Sequence, residues 1–463
     1  MIKIPQTRII QTLPSNLFLP SDFFTQNWPS IQQFLDLLFL KTPETPLPFI
    51  NFQALYSKIE QICRNHQEKE LFSTLSAYLD QFLTETLEKI DKSNDFLEKT
   101  SQFWSAIIIN NIPILSGVFR YFESVFLKPV LRLKTFENFL YSRFSLIMIK
   151  VPGFQEKVIE NTLELIQKER TSQPFSFEIL INSWQLIQKV SQELYQSFEP
   201  KFLERSQLFF RKEAEKWMTE VFDVQGYVRF VDLKFSMEAE KAKFFRETGT
   251  EAALGKVLET ELIEKYIEKV LDISGLTILI EKQDIESLEK IYWQMSRINK
   301  LEILRKSWST TLKDITRGLL NSSKDTTLIE SLLNLRKDAI LIVKEGFQSH
   351  RGLRSSVDSA ISTALDSNPN KTAELASKEF DLKLRKRGKT PAMMFSDDTT
   401  KKELDDLFEI FRYISAKDMF EEFYTRRLVK RLLFGGVCSH ELELHILEKL
   451  KQGIFESFTN KIH

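Results

Sequence analysis

An all-α fold is predicted, and three observations predict it. Glycine and proline are scarce, with 13 and 14 in 463 residues, about half of average usage. A turn-rich β-sandwich or barrel needs a turn signal every 8–12 residues or so, which this chain cannot supply. Apolar residues recur at helical spacing through most of the chain, and no proline stands between Lys201 and Asn368.

Seven of the prolines lie in the first 48 residues, and no glycine precedes Gly117. Residues 1–48 therefore read as an extended arm with one short helix over Pro29–Phe39. Helical period then begins with Phe52, Leu55, Ile59 and Ile62, and continues with Leu71, Leu75, Leu79, Phe82 and Leu83. Further on, Leu258, Leu262, Ile263, Tyr266, Ile267 and Val270 form one stripe. Ile285, Leu288, Ile291, Tyr292 and Met295 form another. Helices of about 20 residues span ~30 Å and must bury such stripes on one another. Stacked helical bundles in an elongated body are the expectation. Loops are expected at 248–250, 322–327, 368–371 and 385–400, the last being the strongest break, with a boundary near 395. The 39 phenylalanines are most simply packing volume.

Composition excludes several classes. Lys+Arg and Asp+Glu are both 64, so a whole-chain electrostatic grip on nucleic acid or an anionic membrane is not expected. Two cysteines, Cys63 and Cys438, give neither a disulfide framework nor a paired-thiol zinc site. No apolar run reaches the ~18 residues of a membrane span, and Met1–Ile10 has no signal-peptide pattern. The expected location is cytoplasmic, nuclear or both.

No catalytic site, metal site or cofactor is expected. Gly388-Lys389-Thr390 lacks the upstream glycine of a phosphate-binding loop, because Lys383 stands there. His440 and His445 are five apart rather than four, roughly 140° further round a helix, so one metal could not take both. One local pattern is sharper. Arg426, Arg427, Lys430 and Arg431 sit at i, i+1, i+4, i+5, about 200° from Leu428, Val429, Leu432 and Leu433. This predicts a basic stripe opposite an apolar one, either a solvated outer face or a landing surface for an acidic partner.

Several runs carry a resemblance. Phe411-Arg412-Tyr413-Ile414, then Lys417-Asp418-Met419-Phe420-Glu421-Glu422-Phe423-Tyr424, then Leu428-Val429-Lys430-Arg431-Leu432-Leu433 resemble the start of the cullin homology region, with valine at 429 where the family usually has alanine. Pro369–Ala376 followed by Phe380-Asp381 is similar to the family's N-K-x-x-E-L-[LI]-A segment. Phe198–Leu203 with Phe209–Glu213 resembles its F-E-x-x-F-L run, and Leu55–Cys63 its L-Y-x-x-[VI]-x-x-x-C helix. The proline-rich arm and the last of these lean toward the fourth cullin class.

The resemblance implies a rod-like scaffold of a multi-subunit ubiquitin ligase, not an enzyme. Its implied architecture is three stacked five-helix repeats (49–152, 153–270 and 271–395), then the start of a four-helix bundle in a partial cullin homology domain (396–463). Adaptors bind the second and fifth helices of the first repeat in this family. The implied adaptor-binding residues are therefore Phe52 and Tyr56 on one helix, with Tyr121, Phe122, Val125 and Phe126 on the other. A β-propeller adaptor is one candidate. The family's Y-L-D-R-x-Y reads Tyr121-Phe122-Glu123-Ser124-Val125-Phe126 here, which removes polar anchors; aromatic neighbours on a helix also often simply pack inward. A RING subunit and a ubiquitin-conjugating enzyme are the family's other partners. The family's RING-docking region lies beyond the point matched by His463, so the expectation is an adaptor-binding rod truncated before it. The implied acidic partner of the Arg426–Arg431 helix is the tail of the conjugating enzyme. A helical-rod subunit of a vesicle-tethering complex is the alternative, sharing stacked helices but not the Lys417–Leu433 run.

Overall fold

The computed structural model describes residues 23–39, 51–219, 222–242, 249–322, 327–385, 397–433 and 440–453. Among them there is helix, turn and bend but no strand, as the glycine and proline shortage requires. No helix among the described residues is long and apolar enough to cross a membrane. The chain divides into two compact units, Met1–Arg205 and Ser206–His463.

The first unit opens with α1 (Phe23–Phe39), which contains Pro29. The helix thus starts six residues before the predicted Pro29. Phe24 stacks on Trp28 at 5.8 Å, and Trp28 meets the Tyr78 ring edge-on at 6.4 Å. That aromatic burial outweighs the backbone hydrogen bond Pro29 cannot make. The rest of the expected arm, residues 1–22 and 40–48, lies outside the described residues. Next come α2 (Phe52–Arg64), with Asn51 Oδ1 accepting from the Ala54 N–H at 3.0 Å, and α3 (Glu68–Asp91). Then α4 (Phe96–Gln102) runs into a π-helical stretch over Phe103–Ile109. After it, α5 (Ile112–Val118) and the single turn α6 (Arg120–Phe122) lead into a second π stretch, Glu123–Leu127. One core of Ile31, Leu35, Ile59, Leu75, Phe119 and Phe139, among others, is shared by α1, α2, α3 and the segments that follow. The unit continues with α7 (Phe136–Lys150), α8 (Phe154–Arg170) and α9 (Phe177–Val190), and ends inside α10 (Gln192–Thr219). Between α7 and α8 the chain turns on Gly153 at φ 75°, a left-handed conformation that suits a residue without Cβ.

The second unit carries α11 (Val224–Ala242) and α12 (Thr250–Leu258), then a π turn over Glu259–Ile263. There follow α13 (Ile267–Val270), α14 (Ile273–Glu281), α15 (Ile285–Arg297), α16 (Leu301–Ser322), α17 (Leu328–Glu345) and α18 (Arg351–Leu365). Both predicted stripes face inward: Leu258, Leu262, Ile263, Ile267 and Val270 are buried, as are Leu288, Ile291, Tyr292 and Met295. The first stripe is not one regular helix, however. The π turn rotates Glu261 inside, where Gln207 donates to it at 2.8 Å and Arg211 at 3.2 Å, with Lys265 as a third partner. Burial raises that carboxyl's pKa, but these donors overcome it and hold it down at about 2. Gly275 lets α14 close on α11, since a Cβ there would stand 2.5 Å from Val224 Cγ2.

The last helices are α19 (Pro369–Arg385), α20 (Asp397–Phe411), α21 (Lys417–Leu433) and α22 (His440–Gly453). The expected loop at 368–371 is in fact a helix start, with Pro369 at the first position, where its missing N–H costs nothing. The Gly388–Thr390 segment and Cys438 fall outside the described residues.

Candidate docking sites

Phe52 and Tyr56 stand one turn apart on α2, and α2 packs against α5 and α6. Phe52 is 42% exposed although Phe34 of α1 meets its ring edge-on at 6.2 Å. Tyr56 is half-buried. Together they form one wall of an open groove of about 330 Å³, and Pro113, Ile114, Gly117 and Val118 of α5 form the other. The groove is apolar apart from Gln53 and the tyrosine hydroxyl, a surface suited to taking an apolar side chain from a partner.

The second predicted row divides. Val125 is exposed, and Tyr121 is half-buried with the Arg64 guanidinium 5.9 Å above its ring. Phe122 and Phe126 are buried, which corrects their assignment to an adaptor face. They stack on each other at 5.5 Å, and Phe126 reaches Phe72 of α3 at 5.6 Å. Four residues apart, the two rings share one helix face, and that face meets the first core. Pro113, Ile114 and Gly117 were not singled out from the sequence. Their signal was the Pro113 start of a short helix, which places Gly117 one turn on, on the same side.

The basic row on α21 also divides. Phe420, Tyr424, Leu428 and Arg431 are all buried, at offsets of 4, 8 and 11 residues that return to one face at about 100° per residue. Arg431 therefore belongs to the inner face, and its place on a basic surface is corrected. Its Nε donates to Glu443 of α22 at 2.8 Å and its Nη1 to Asp381 of α19 at 2.6 Å. Tyr424 donates its hydroxyl to Glu443 at 3.0 Å. Burial disfavours the guanidinium charge, but Glu443 and then Asp381 more than offset this and raise its pKa. Arg427 turns partly inward and donates to Ser377 Oγ at 3.2 Å. Only Arg426 and Lys430 are exposed cations, and Arg426 is paired with Glu422. The predicted opposing apolar stripe is likewise displaced: Leu428 is inside, but Val429, Leu432 and Leu433 are exposed.

Chemistry is sparse elsewhere. Among the described residues no group of histidine, cysteine and carboxylate side chains could hold a metal. His445 Nε2 lies 2.9 Å from Asp405 Oδ1 instead. Cys63 is buried, and desolvation, aided by Glu68 and Glu60, pushes its thiol up to about 12, where it is inert as a nucleophile at neutral pH.

Comparison with known proteins agrees with this architecture. The model of the cullin alpha solenoid domain matches residues 28–463. Human cullin-4A is 27% identical over 418 residues, covering 89% of this chain and 54% of the relative. Cullin-4 of Dictyostelium discoideum is 22% identical over 462 residues, covering 98% of this chain and 56% of the relative. Cullin-4 of Schizosaccharomyces pombe is 24% identical over 429 residues, covering 89% and 57%. The chain spans about half the length of the curated relatives it matches. With an all-helical fold and a family match over nearly its whole length, the chain belongs to the cullin family, with a lean to cullin-4.

Proposed function

We propose that this chain is a non-catalytic scaffold subunit of a multi-subunit ubiquitin ligase, and that it docks a substrate-receptor adaptor in the groove between α2 and α5. The observation that carries this reading is the aromatic wall of exposed Phe52 and half-buried Tyr56, facing Pro113, Ile114 and Gly117 across an open apolar cleft. The Phe52–Tyr56 wall lies on the helix where the family resemblance puts the adaptor, and the α5 wall immediately precedes the Tyr121–Phe126 segment that the resemblance names as its partner. A β-propeller protein is the adaptor class that fits the lean to cullin-4. A RING subunit and a ubiquitin-conjugating enzyme complete the assembly, which works in the cytosol, the nucleus or both. The five-helix repeats at 49–152, 153–270 and 271–395, followed by a cullin homology segment from 396, remain the proposed organisation. Lys430 and Arg426 are the cations left to meet an acidic partner on α21.

Titration calorimetry of the full 463-residue chain against a purified β-propeller adaptor tests the reading. Binding is expected, and Tyr56→Ala is expected to weaken it by about 2 kcal/mol, the scale of an aromatic hot spot. Absence of binding by the unchanged chain, or indifference to both Phe52→Ala and Tyr56→Ala, defeats it.

A further inference from the structure

We propose that the corner at residues 128–134 is a second part of the adaptor interface, and that it receives an edge of the partner with an apolar centre and carboxylates around it. The inference rests on the docking reading above. The groove is lined by seven residues, whereas a stable interface takes about 20–30 on each side. More surface must take part. The segment that forms one groove wall continues through α6 and the π stretch directly into this corner.

The corner is built to present its side chains. The Val130 N–H donates to the Phe126 carbonyl at 3.0 Å, and the Leu133 N–H reaches back to the Leu127 carbonyl at 3.0 Å. Arg132 stands between them at φ 57°, a left-handed conformation unfavourable for a residue with a Cβ. Leu133 packs on the first core. With the backbone fixed in this way, Val130 is left 56% exposed and Leu131 36%, beside Val125 at 38%.

Charge fixes the partner's chemistry. Glu123 is the only acid between Val118 and Phe136, and it is occupied, accepting from the Phe136 N–H at 2.8 Å and pairing with Lys128 at 2.7 Å. Arg132 and Lys134 are exposed and have no ion-pair partner among the described residues. Two uncommitted cations therefore follow directly on the apolar pair, a pattern that favours carboxylates on the facing surface.

Two double variants test the corner, Arg132→Glu with Lys134→Glu and Val130→Ser with Leu131→Ser, each in the full chain against the purified β-propeller adaptor. Charge reversal is expected to weaken binding about 10–100-fold near 50 mM salt, and much less near 400 mM, where screening shortens the field. The serine pair is expected to weaken it about 10-fold at both. Unchanged thermal melts would show that folding is intact. If both corner variants bind as the unchanged chain does while Tyr56→Ala loses affinity, the corner is not in the interface and the docking reading stands. If the unchanged chain does not bind, both are overturned.

Discussion

The groove between α2 and α5 and the node around Arg431 are both made of residues whose sequence pattern suggests a partner surface, yet they do opposite things. In the groove, Phe52 and Tyr56 line an open cleft whose α5 side includes Gly117, with no side chain at all to close over them. Around Arg431, two carboxylates from neighbouring helices and the Tyr424 ring, 5.4 Å from the guanidinium, close over the charge. An aromatic in the first place is free to pair with something else. A cation in the second is already paired, and the helices α19, α21 and α22 are tied through it. Identity and spacing are alike in rank as signals; what separates a surface from a lock is whether complementary groups converge from other elements.

The comparison breaks most visibly at Arg431. Arg431→Leu leaves Asp381 and Glu443 buried without their cation, so it should cost about 3–5 kcal/mol, seen as a large fall in the denaturation midpoint. Replacing all three, with Asp381→Asn and Glu443→Gln added, should recover part of that loss, because no charge is then stranded. Next in size is Phe122→Ala, expected to cost about 3–4 kcal/mol as a cavity in the first core. Its neighbour Val125→Ser should change stability by less than about 0.5 kcal/mol. Equal effects at 122 and 125 would contradict the division of that row.

Much of this was legible in sequence. Helical content and the inward stripes at 258–270 and 285–295 followed from spacing and residue type, and the runs at 369–376 and 417–433 from their resemblance to the family. What was not legible depends on other elements. Arg431 reads as surface because a guanidinium is usually solvated, and the two carboxylates that bury it lie far off in the chain or on the next helix. Phe122 and Phe126 share a face by their four-residue spacing, but spacing alone does not say that this face looks inward; Phe72 and Phe119, on other segments, take it up. The helix expected over Pro29–Phe39 begins earlier, at Phe23, because the packing of Phe24 and Trp28 that draws it out involves Tyr78 on another helix.

A smaller pH-linked effect is expected at the start of α21, and it separates a half-buried cation with carboxylates from one without. The Lys417 ammonium lies 3.8 Å from the centre of the Phe411 ring and donates to the Phe411 carbonyl, which closes the end of α20. Desolvation lowers its pKa from 10.5 to about 8. A base whose pKa is lower folded than unfolded destabilises the folded state while it is charged, and that penalty is released as the unfolded chain comes to hold more protons than the folded one. Stability should therefore rise between pH 8 and about 10.5, by no more than about 1–2 kcal/mol because the group is only half-buried. Melting temperatures across that window, compared with Lys417→Met, isolate the contribution: the variant should lack the rise. Arg431, with two carboxylates against its charge, should show no such window below pH 11 or so. A flat profile for the unchanged chain would mean that the Phe411 ring and carbonyl compensate the buried ammonium as fully as carboxylates do.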